Sequence, residues 1–498
     1  MHLLLFQGDA IGPGWIGLGI AIAGFLYCAR LVGIEKLSQQ LVFALLIATT
    51  HLLRGGSMAG DGGLFINYFT HSEIANGLFL FALYYAFKSR IVAAMTLTGL
   101  TFFVNAFFGV WTAFVIGIVF LVQIWRGELP WRKALVQGAI GAVPAVLLAA
   151  PVVLAVLANP EFGQPQAFDY AAYLNEYYPI HFLFASIGLA GKLGLVLIVA
   201  AAASSFVLLG QTGRPWIVAL VAACALYILG IAVSYATHSA TILNLHLLRS
   251  STLVHLLAAF GLCALATRWL FDSDKRAAAL AAPVLIILLA LPVDGRLRYP
   301  ALALLAVAML AAAFTPLLRI APLMLVTQER KLRFAAIAFV LFAIPALAIA
   351  NGLKNNNLQD WANEWSALGA WARQATPQNA AFLIPPATFK SESGLTESDT
   401  GEMMSTVFEY TAHRVVWIDF KRGAAAMWSP STYATWHQRV EETDALASHE
   451  SRLAYARDNN LAYVVEVCLD RREAGIAYAT GRLCVYPTGS TGSRVAAR

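Results

Sequence analysis

The sequence predicts an α-helical polytopic membrane bundle of about 12 transmembrane helices, followed by a small α/β domain. Of its 498 residues, 59% are hydrophobic and only 12% are charged, and the mean hydropathy is +0.67. Soluble domains carry about 25% charged residues, so this composition is that of a membrane protein. Long apolar segments recur as far as residue 350 and then stop. We therefore predict a transmembrane domain over residues 1–350 and a water-soluble domain over residues 351–498.

Twelve apolar segments are candidate membrane spans, because about 20 helical residues cross a hydrocarbon core of about 30 Å. The stretch Asn105–Gly109 divides one apolar run that is too long for a single crossing. The predicted spans are Trp15–Ile34, Leu37–Leu53, Ile74–Phe87, Ile91–Val104, Val110–Trp125, Ala134–Ala158, Leu193–Gly210, Trp216–Tyr235, Ser251–Phe271, Ala277–Val293, Ala301–Leu318 and Phe334–Ala350.

Basic residues are distributed unequally between the two ends of these spans. One set of loops carries fifteen Lys and Arg residues, and the alternate set carries five, namely Arg54, Lys192, Arg249, Arg296 and Arg298. Because cytoplasmic loops are enriched in basic residues, the first set is expected to be cytoplasmic. The N-terminus and the domain over residues 351–498 then both lie outside. The basic residues are too dispersed to indicate a nucleic-acid partner.

Histidines gather on the predicted outer side, independently of the basic residues that predict the orientation. The stretch Thr237–His255 is the richest, with three histidines and Arg249 between two apolar segments. Titratable groups concentrated on one face indicate a functional site. The alternative is that longer outer loops simply collect more polar residues. The outer histidines are His2, His51, His71, His181, His238, His246 and His255.

Three outer loops carry the candidate site residues: Arg54–Ser72, Asn159–Phe182 and Thr237–His255. Group transfer at this face needs a carboxylate to accept a proton and cations to hold a phosphate. Arg249 could instead have a structural role, with its charge reaching the membrane interface. No cofactor is indicated; the outer carboxylates are compatible with a divalent metal, but no spacing demands one. The candidate catalytic residues are Asp61, Glu73 and Asp9, and the candidate phosphate- or substrate-binding residues are Arg249, Arg54, His246, His181 and Lys192.

Beyond Asn351 the pattern is that of a small α/β domain with a largely parallel sheet. An amphipathic helix is predicted over Asp360–Gln374, whose three tryptophans either pack in a core or lie on the membrane surface. Cys468 and Cys484 fall on adjacent predicted strands and would form a disulfide if the domain is in an oxidising compartment. The predicted strands are Ala380–Pro386, Val415–Phe420, Ala462–Cys468 and Leu483–Pro487, and the predicted helices are Glu402–His413, Ser431–Glu442 and Ala445–Asn459.

Four segments resemble the C-type glycosyltransferase superfamily and, more narrowly, a little-characterised bacterial membrane family within or beside it. They are His71–Trp111, Asn244–Leu257, Trp371–Pro386 and His413–Arg422. The resemblance implies a polytopic protein of the bacterial inner membrane with an outward-facing site and an extracytoplasmic C-terminal domain. It further implies membrane lipid and a polyprenyl-phosphate-linked sugar as partners, and sugar transfer in the cell envelope as the function.

One feature departs from the superfamily, whose enzymes carry an acidic residue in a loop after a first membrane helix. No span is predicted before Asp9, so we expect either that the N-terminus is incomplete or that this element is missing. A transporter or a non-catalytic scaffold for envelope assembly is the alternative to an enzyme. The sequence has no visible internal repeat of the kind that transporters carry, which disfavours the transporter.

Overall fold

The computed structural model describes residues 12–50, 53, 55–56, 63–64, 71–164, 166–271, 276–290, 298–314, 329–343, 346, 357–385, 406–468 and 475–489. The chain divides into two compact units. Unit 1 comprises Met1–Asn159 and Tyr170–Ala348, and unit 2 comprises Pro160–Asp169 and Ile349–Arg498. The segment Pro160–Asp169 therefore belongs to unit 2, although in the sequence it lies between two predicted spans.

Unit 1 is helical in its described residues, apart from a short antiparallel hairpin of β1 (Gly55–Gly56) and β2 (Gly63–Leu64). Its helices are α1 (Gly12–Arg30), α2 (Leu37–Thr49), α3 (His71–Phe87), α4 (Ile91–Val104), α5 (Ala106–Trp125), α6 (Trp131–Leu157), α7 (Tyr170–Tyr177), α8 (Pro179–Phe182), α9 (Leu189–Leu208), α10 (Arg214–Ala236), α11 (Ala240–Leu243), α12 (Ser251–Phe271), α13 (Arg276–Ala290), α14 (Arg298–Phe314) and α15 (Glu329–Ala338, continued by a π-helical turn, Phe339–Ala343). Short 3₁₀ turns occupy Phe184–Ser186, Gly210–Gly213 and Leu247–Ser250.

Each of the twelve predicted spans contains a helix, and five stretches of the described chain are long and apolar enough to cross a membrane. These five are Ala106–Trp125, Trp131–Leu157, Leu189–Leu208, Gly210–Ala236 and Ala240–Phe271. The other seven predicted spans correspond to shorter described helices, so the total of twelve crossings stays a prediction. The protein is a helical, multi-pass membrane protein.

Helix α12 is the centre of unit 1, since nearly all of its residues are buried. Phe260 at its middle stacks on Trp216 of α10 with ring centroids 3.9 Å apart, and it meets Phe43 of α2 edge-on at 6.0 Å. Helix α6 packs along α4, and the backbones of these two helices approach closely. A Cβ atom at Gly99 would lie 2.6 Å from the Cα of Ala145, so this approach requires glycine.

Hydrogen bonds tie the loops of unit 1 together at two opposite groups of helix ends. In one group, Gln123 Nε2 donates to the carbonyl of Ala86 at 3.0 Å, and Arg268 donates to the hydroxyl of Thr212 at 3.3 Å. These residues lie at or beside the helix ends that are predicted to face the cytoplasm. In the other group, Trp111 Nε1 donates to the carbonyl of Leu245 at 3.1 Å. The alternation of loops agrees with the predicted spans, while the side on which each group lies stays a prediction.

Unit 2 is an α/β fold with a five-stranded sheet of order β4-β3-β5-β7-β6. The sheet is mixed and not largely parallel as predicted, because β3 pairs in parallel with β4 and β5 while β7 runs antiparallel to β5 and β6. Its strands are β3 (Ala381–Leu383), β4 (Val415–Val416), β5 (Tyr463–Val467), β6 (Tyr478–Ala479) and β7 (Leu483–Pro487), and its helices are α16 (Asn357–Ala375), α17 (Thr406–Ala412), α18 (Phe420–Ala425), α19 (Tyr433–Asp444) and α20 (His449–Asp458).

Helix α16 supplies the core of unit 2. Trp361 and Trp365 are 1% and 0% exposed and pack with Phe382, Phe408 and Val416. The predicted alternative, in which the tryptophans lie on a membrane surface, is therefore wrong for these two. Burial of a large aromatic side chain is among the strongest contributions to a small core.

A disulfide and a set of hydrogen bonds from one arginine stabilise unit 2. Cys468 and Cys484 form a disulfide, as the adjacent strands suggested. Arg414 closes the end of α16 by donating to the carbonyls of Arg373 and Thr376 at 2.8 and 2.7 Å. Cationic side chains at the last carbonyls of a helix satisfy acceptors that have no partner within the helix.

Candidate anion-binding site

The turn between α11 and α12 places His246 in the interior of unit 1. Its backbone adopts a left-handed conformation with φ +50°, which costs a non-glycine residue about 1–3 kcal/mol. The imidazole lies between the rings of Phe107 and Phe182, with centroid distances of 4.4 and 4.7 Å. His246 is only 7% exposed, and its Nδ1 has no hydrogen-bond partner among the described residues. A strained, buried imidazole with an available nitrogen is suited to contact a ligand.

Arg249 and His181 complete the cluster around this turn. Arg249 follows His246 by one turn, with its amide donating to the carbonyl of His246 at 3.0 Å. His181 belongs to α8, immediately before the Phe182 ring that contacts His246. Burial, the positive charge of Arg249 and the neighbouring His246 hold the pKa of His181 well below its usual range. His181 is therefore a neutral imidazole at pH 7, and Arg249 carries the positive charge of the cluster.

Helix α7 contacts the same turn directly, and Lys192 is connected to it through an aromatic side chain. Tyr170 at the start of α7 bonds through its hydroxyl to the side-chain oxygen of Asn244. The Lys192 ammonium group lies 4.7 Å from the ring centroid of Phe184, and Phe184 packs beside Leu248, the neighbour of Arg249. Lys192 is thus linked to the turn only through Phe184 and Leu248, by the contacts that the structure describes.

Glu73 is the candidate carboxylate that the structure describes, and it lies at the same group of helix ends. It is 5% exposed in the first turn of α3. The neighbouring Ser72 accepts a hydrogen bond of 3.1 Å from Asn105, whose own side-chain oxygen caps α5 at the amide of Phe108. Through Asn105 the start of α3 is joined to the segment that carries Phe107. The candidates Asp9, Asp61 and Arg54 lie outside the described residues.

Three of the outer histidines have other environments. His255 is buried in α12 with its Nδ1 3.1 Å from the carbonyl of Ser251, which is the arrangement of a satisfied helix histidine. His238 is exposed. His71 starts α3, two residues before Glu73. The structure therefore brings together His181, His246 and Arg249, whereas Lys192 and Glu73 are connected to this cluster through other residues.

The aromatic residues of the site were not predicted. Phe107 lies in the stretch Asn105–Gly109 between two predicted spans, and Phe182 ends one of the three candidate loops, but nothing in the sequence distinguishes either ring from a core residue. Asn105 did carry a signal, since it interrupts an apolar run just before a helix. In chemical terms, the cluster offers one guanidinium and two imidazoles beside aromatic rings. Such a set favours an anion that also carries apolar or ring-shaped groups.

Lowering the pH is expected to destabilise unit 1 through His181. Its pKa is about 6.5 in the unfolded chain and lower in the folded protein. Below pH 6.5, His181 is therefore protonated in the unfolded state before it is protonated in the folded state. The contribution of neutral His181 to the free energy of unfolding is then fully present above pH 6.5. As the pH decreases further, the free energy of unfolding falls by up to about 1.4 kcal/mol per pH unit. Thermal unfolding in detergent at pH 7.5 and 5.5 should show a smaller loss for His181→Asn than for wild type. The exposed His238→Asn variant should behave as wild type, and an unchanged loss in His181→Asn contradicts this assignment.

The fold and the site define a helical membrane protein with a basic, aromatic-lined cluster at one group of helix ends. The family described as "Domain of unknown function (DUF6798)" matches residues 363–443, from within α16 almost to the end of α19. This match lies in unit 2 and includes none of the cluster. No curated protein and no solved structure matches the chain.

Proposed function

We propose that this protein binds a polyprenyl-phosphate-linked sugar at the cluster around Arg249 and transfers the sugar to an acceptor at the outer face of the bacterial inner membrane. The observation that carries the proposal is the convergence of His181, from α8, with His246 and Arg249 of the turn between α11 and α12. A guanidinium binds phosphate through paired hydrogen bonds, and neutral imidazoles add donors without adding charge.

Two independent features support the proposed outward orientation of the cluster. The excess of basic residues in the opposite loops favours an outward-facing cluster. The disulfide between Cys468 and Cys484 in unit 2 is suited to an oxidising compartment outside the cytoplasm. Both features favour the same side, which is also the side on which polyprenyl-phosphate-linked sugars serve as donors in the superfamily that the sequence resembles.

In the proposed reaction an acceptor hydroxyl attacks the anomeric carbon of the sugar. The bond between that carbon and the phosphate oxygen breaks, and the polyprenyl phosphate leaves with the bonding electron pair. Glu73 accepts the proton of the hydroxyl, and Arg249 stabilises the charge that develops on the leaving phosphate. The part of the donor that reacts is thus held at the helix ends, while its prenyl chain stays in lipid.

Replacing Glu73 tests this chemistry. Glu73→Gln preserves size and removes the basic oxygen, so consumption of a short-chain polyprenyl-phosphate sugar by purified protein should fall about 10²–10⁴-fold while donor affinity changes little. Glu128→Gln is the matched control, because Glu128 is an exposed carboxylate whose nearest partner is Arg126 at 4.0 Å. Equal rates in Glu73→Gln and wild type would exclude Glu73 as the base. Donor binding without turnover by the wild type would exclude the transfer and favour a non-catalytic envelope scaffold.

A further inference from the structure

Five exposed basic side chains lie at or beside two neighbouring turns of unit 1, one between α3 and α4 and the other between α5 and α6. Gln123 joins these turns, because its Nε2 donates to the carbonyl of Ala86 at 3.0 Å and its Oε1 accepts the hydroxyl of Ser89 at 3.3 Å. Gln123 is in the last turn of α5, whereas the first turn of this helix contacts His246. The two turns are therefore at the helix ends opposite the candidate anion-binding site. The five residues, here called the basic patch, are Lys88, Arg90, Arg126, Arg132 and Lys133.

Little acidic charge offsets the basic patch. Arg126 Nη1 lies 4.0 Å from Glu128 Oε1, and the two side chains are 42% and 56% exposed. An exposed ion pair at this distance contributes little, because solvent screens the two charges. Among the described residues it is the one ion pair of the basic patch. Most of the positive charge of the patch is therefore available to an external anion.

The turn between α5 and α6 has a fixed backbone. The amides of Glu128 and Leu129 both donate to the carbonyl of Gln123, at 2.9 and 3.1 Å. Gly127 adopts φ +73°, a conformation that glycine reaches without steric cost, and the Leu129 side chain is buried. Arg126 and the start of α6 are therefore held at defined positions on the surface of the bundle.

Two exposed tryptophans flank the same turn. Trp125 is 83% exposed and Trp131 is 58% exposed, and the guanidinium carbon of Arg132 lies 5.5 Å from the ring centroid of Trp131. Indole rings favour the depth of the lipid headgroups. A long basic side chain beside such a ring extends its charge to the same depth. The tryptophans therefore indicate that the basic patch meets lipid headgroups.

Helix α6 presents an apolar surface that begins at the basic patch. Of its 27 residues, all of them described, Gly141 alone is buried. This helix is also long and apolar enough to cross a membrane, so acyl chains cover its exposed surface. A ligand that is held at the basic patch can therefore be an amphiphile whose apolar part lies on α6. The exposed apolar side chains of α6 include Leu135, Ile140, Leu147 and Leu154.

We propose that the basic patch binds the headgroup of an anionic phospholipid, whose acyl chains lie along the exposed surface of α6. The excess of positive charge selects an anionic headgroup over a zwitterionic one. The adjoining apolar surface selects a phospholipid over a soluble anion or an acidic protein segment. The basic residues also predict that these helix ends face the cytoplasm, where the leaflet carries a negative surface potential. This binding does not require the proposed sugar transfer, because the patch is at the helix ends opposite the cluster around Arg249.

Titration of phosphatidylglycerol into the full-length protein in neutral detergent, followed by native mass spectrometry, tests the basic patch. Arg126→Gln and Arg132→Gln should each weaken phosphatidylglycerol affinity about fivefold, which is the usual contribution of one basic residue at an anionic membrane surface. The combined variant of these two with Lys133→Gln should weaken it about 10–100-fold. All three side chains are exposed, so the melting temperature should stay at the wild-type value, and the single variants carry the test if it does not.

Arg268→Gln is the matched control, because Arg268 lies at the same group of helix ends and donates to the hydroxyl of Thr212. It should bind phosphatidylglycerol as wild type does, and every variant should keep the wild-type affinity for zwitterionic phosphatidylcholine. Wild-type phosphatidylglycerol affinity in the combined variant, or an equal loss in Arg268→Gln, overturns the proposal. Displacement of the lipid by excess inorganic phosphate also overturns it, because the ligand would then be free phosphate.

Discussion

Arg249→Ala is expected to weaken the binding of a prenyl phosphate by about 10–100-fold. A hydrogen bond to a charged group contributes about 1.5–3 kcal/mol, and each 1.4 kcal/mol is a factor of ten in affinity. The measurement is titration of farnesyl phosphate into protein in nanodiscs of neutral lipid. Arg249→Lys should bind with intermediate affinity, because it keeps the charge and loses the paired donors.

Arg268→Ala provides the matched control for Arg249. Arg268 lies on α12, the helix that follows Arg249, and it donates to Thr212 at the opposite group of helix ends. Its removal should leave farnesyl phosphate affinity at the wild-type value. If Arg249→Ala binds as tightly as wild type, Arg249 has the structural role that the sequence also allowed. If both variants lose affinity equally, the effect belongs to membrane-surface charge and not to the cluster.

The helices of unit 1 could be predicted because the apolar pattern that indicates each helix is contained within its own segment of the sequence. Ser251–Phe271 has the predicted bounds in the structure, since it is an apolar run that begins beside Arg249. Helix α5 begins at Ala106, four residues before the predicted Val110, because the Asn105 side chain accepts the amide of Phe108 and caps it. Capping residues set helix ends more sharply than hydropathy does.

The direction of the strands in unit 2 was less predictable. The adjacency of Cys468 and Cys484 was correctly inferred, and the disulfide joins β7 to the residue after β5. Their antiparallel pairing was missed. Parallel neighbours need a crossover, usually a helix, and the described part of this connection carries β6 instead. Short strands such as Tyr478–Ala479 carry too few residues for an alternating pattern to be visible.

The polar half of the candidate site could be inferred from the sequence, and the aromatic half could not. His181, His246 and Arg249 were identifiable because polar residues next to apolar segments are conspicuous. Their convergence depends on contacts between distant segments, such as Tyr170 with Asn244 and Phe182 with His246. The hydrogen bonds between Glu161 and Ser431 within unit 2 were equally hidden, because the two residues are 270 positions apart.

Trp365→Ala is expected to destabilise unit 2 by about 3–5 kcal/mol, which is the usual cost of truncating a buried tryptophan. Trp365 is 0% exposed, and its ring meets that of Phe408 edge-on at 6.3 Å. Because a small domain has only about 5–15 kcal/mol of stability, this loss should be visible as faster hydrogen exchange throughout β5 in the full-length protein. Trp428→Ala is the control, since Trp428 is 45% exposed and its removal should leave β5 exchange unchanged.

The same variant separates the two roles that the sequence allowed for the tryptophans of α16. A tryptophan at a membrane surface contributes to lipid contact, so its loss would alter lipid-dependent fluorescence quenching and leave β5 unaffected. Loss of a core tryptophan would leave the lipid-dependent quenching unchanged and increase exchange in β5. The reason is that the cavity removes contacts with Phe382 and Phe408 on neighbouring elements. Wild-type exchange in β5 of Trp365→Ala would therefore reject the core position of α16. An increase there would reject the membrane-surface alternative by an independent measurement.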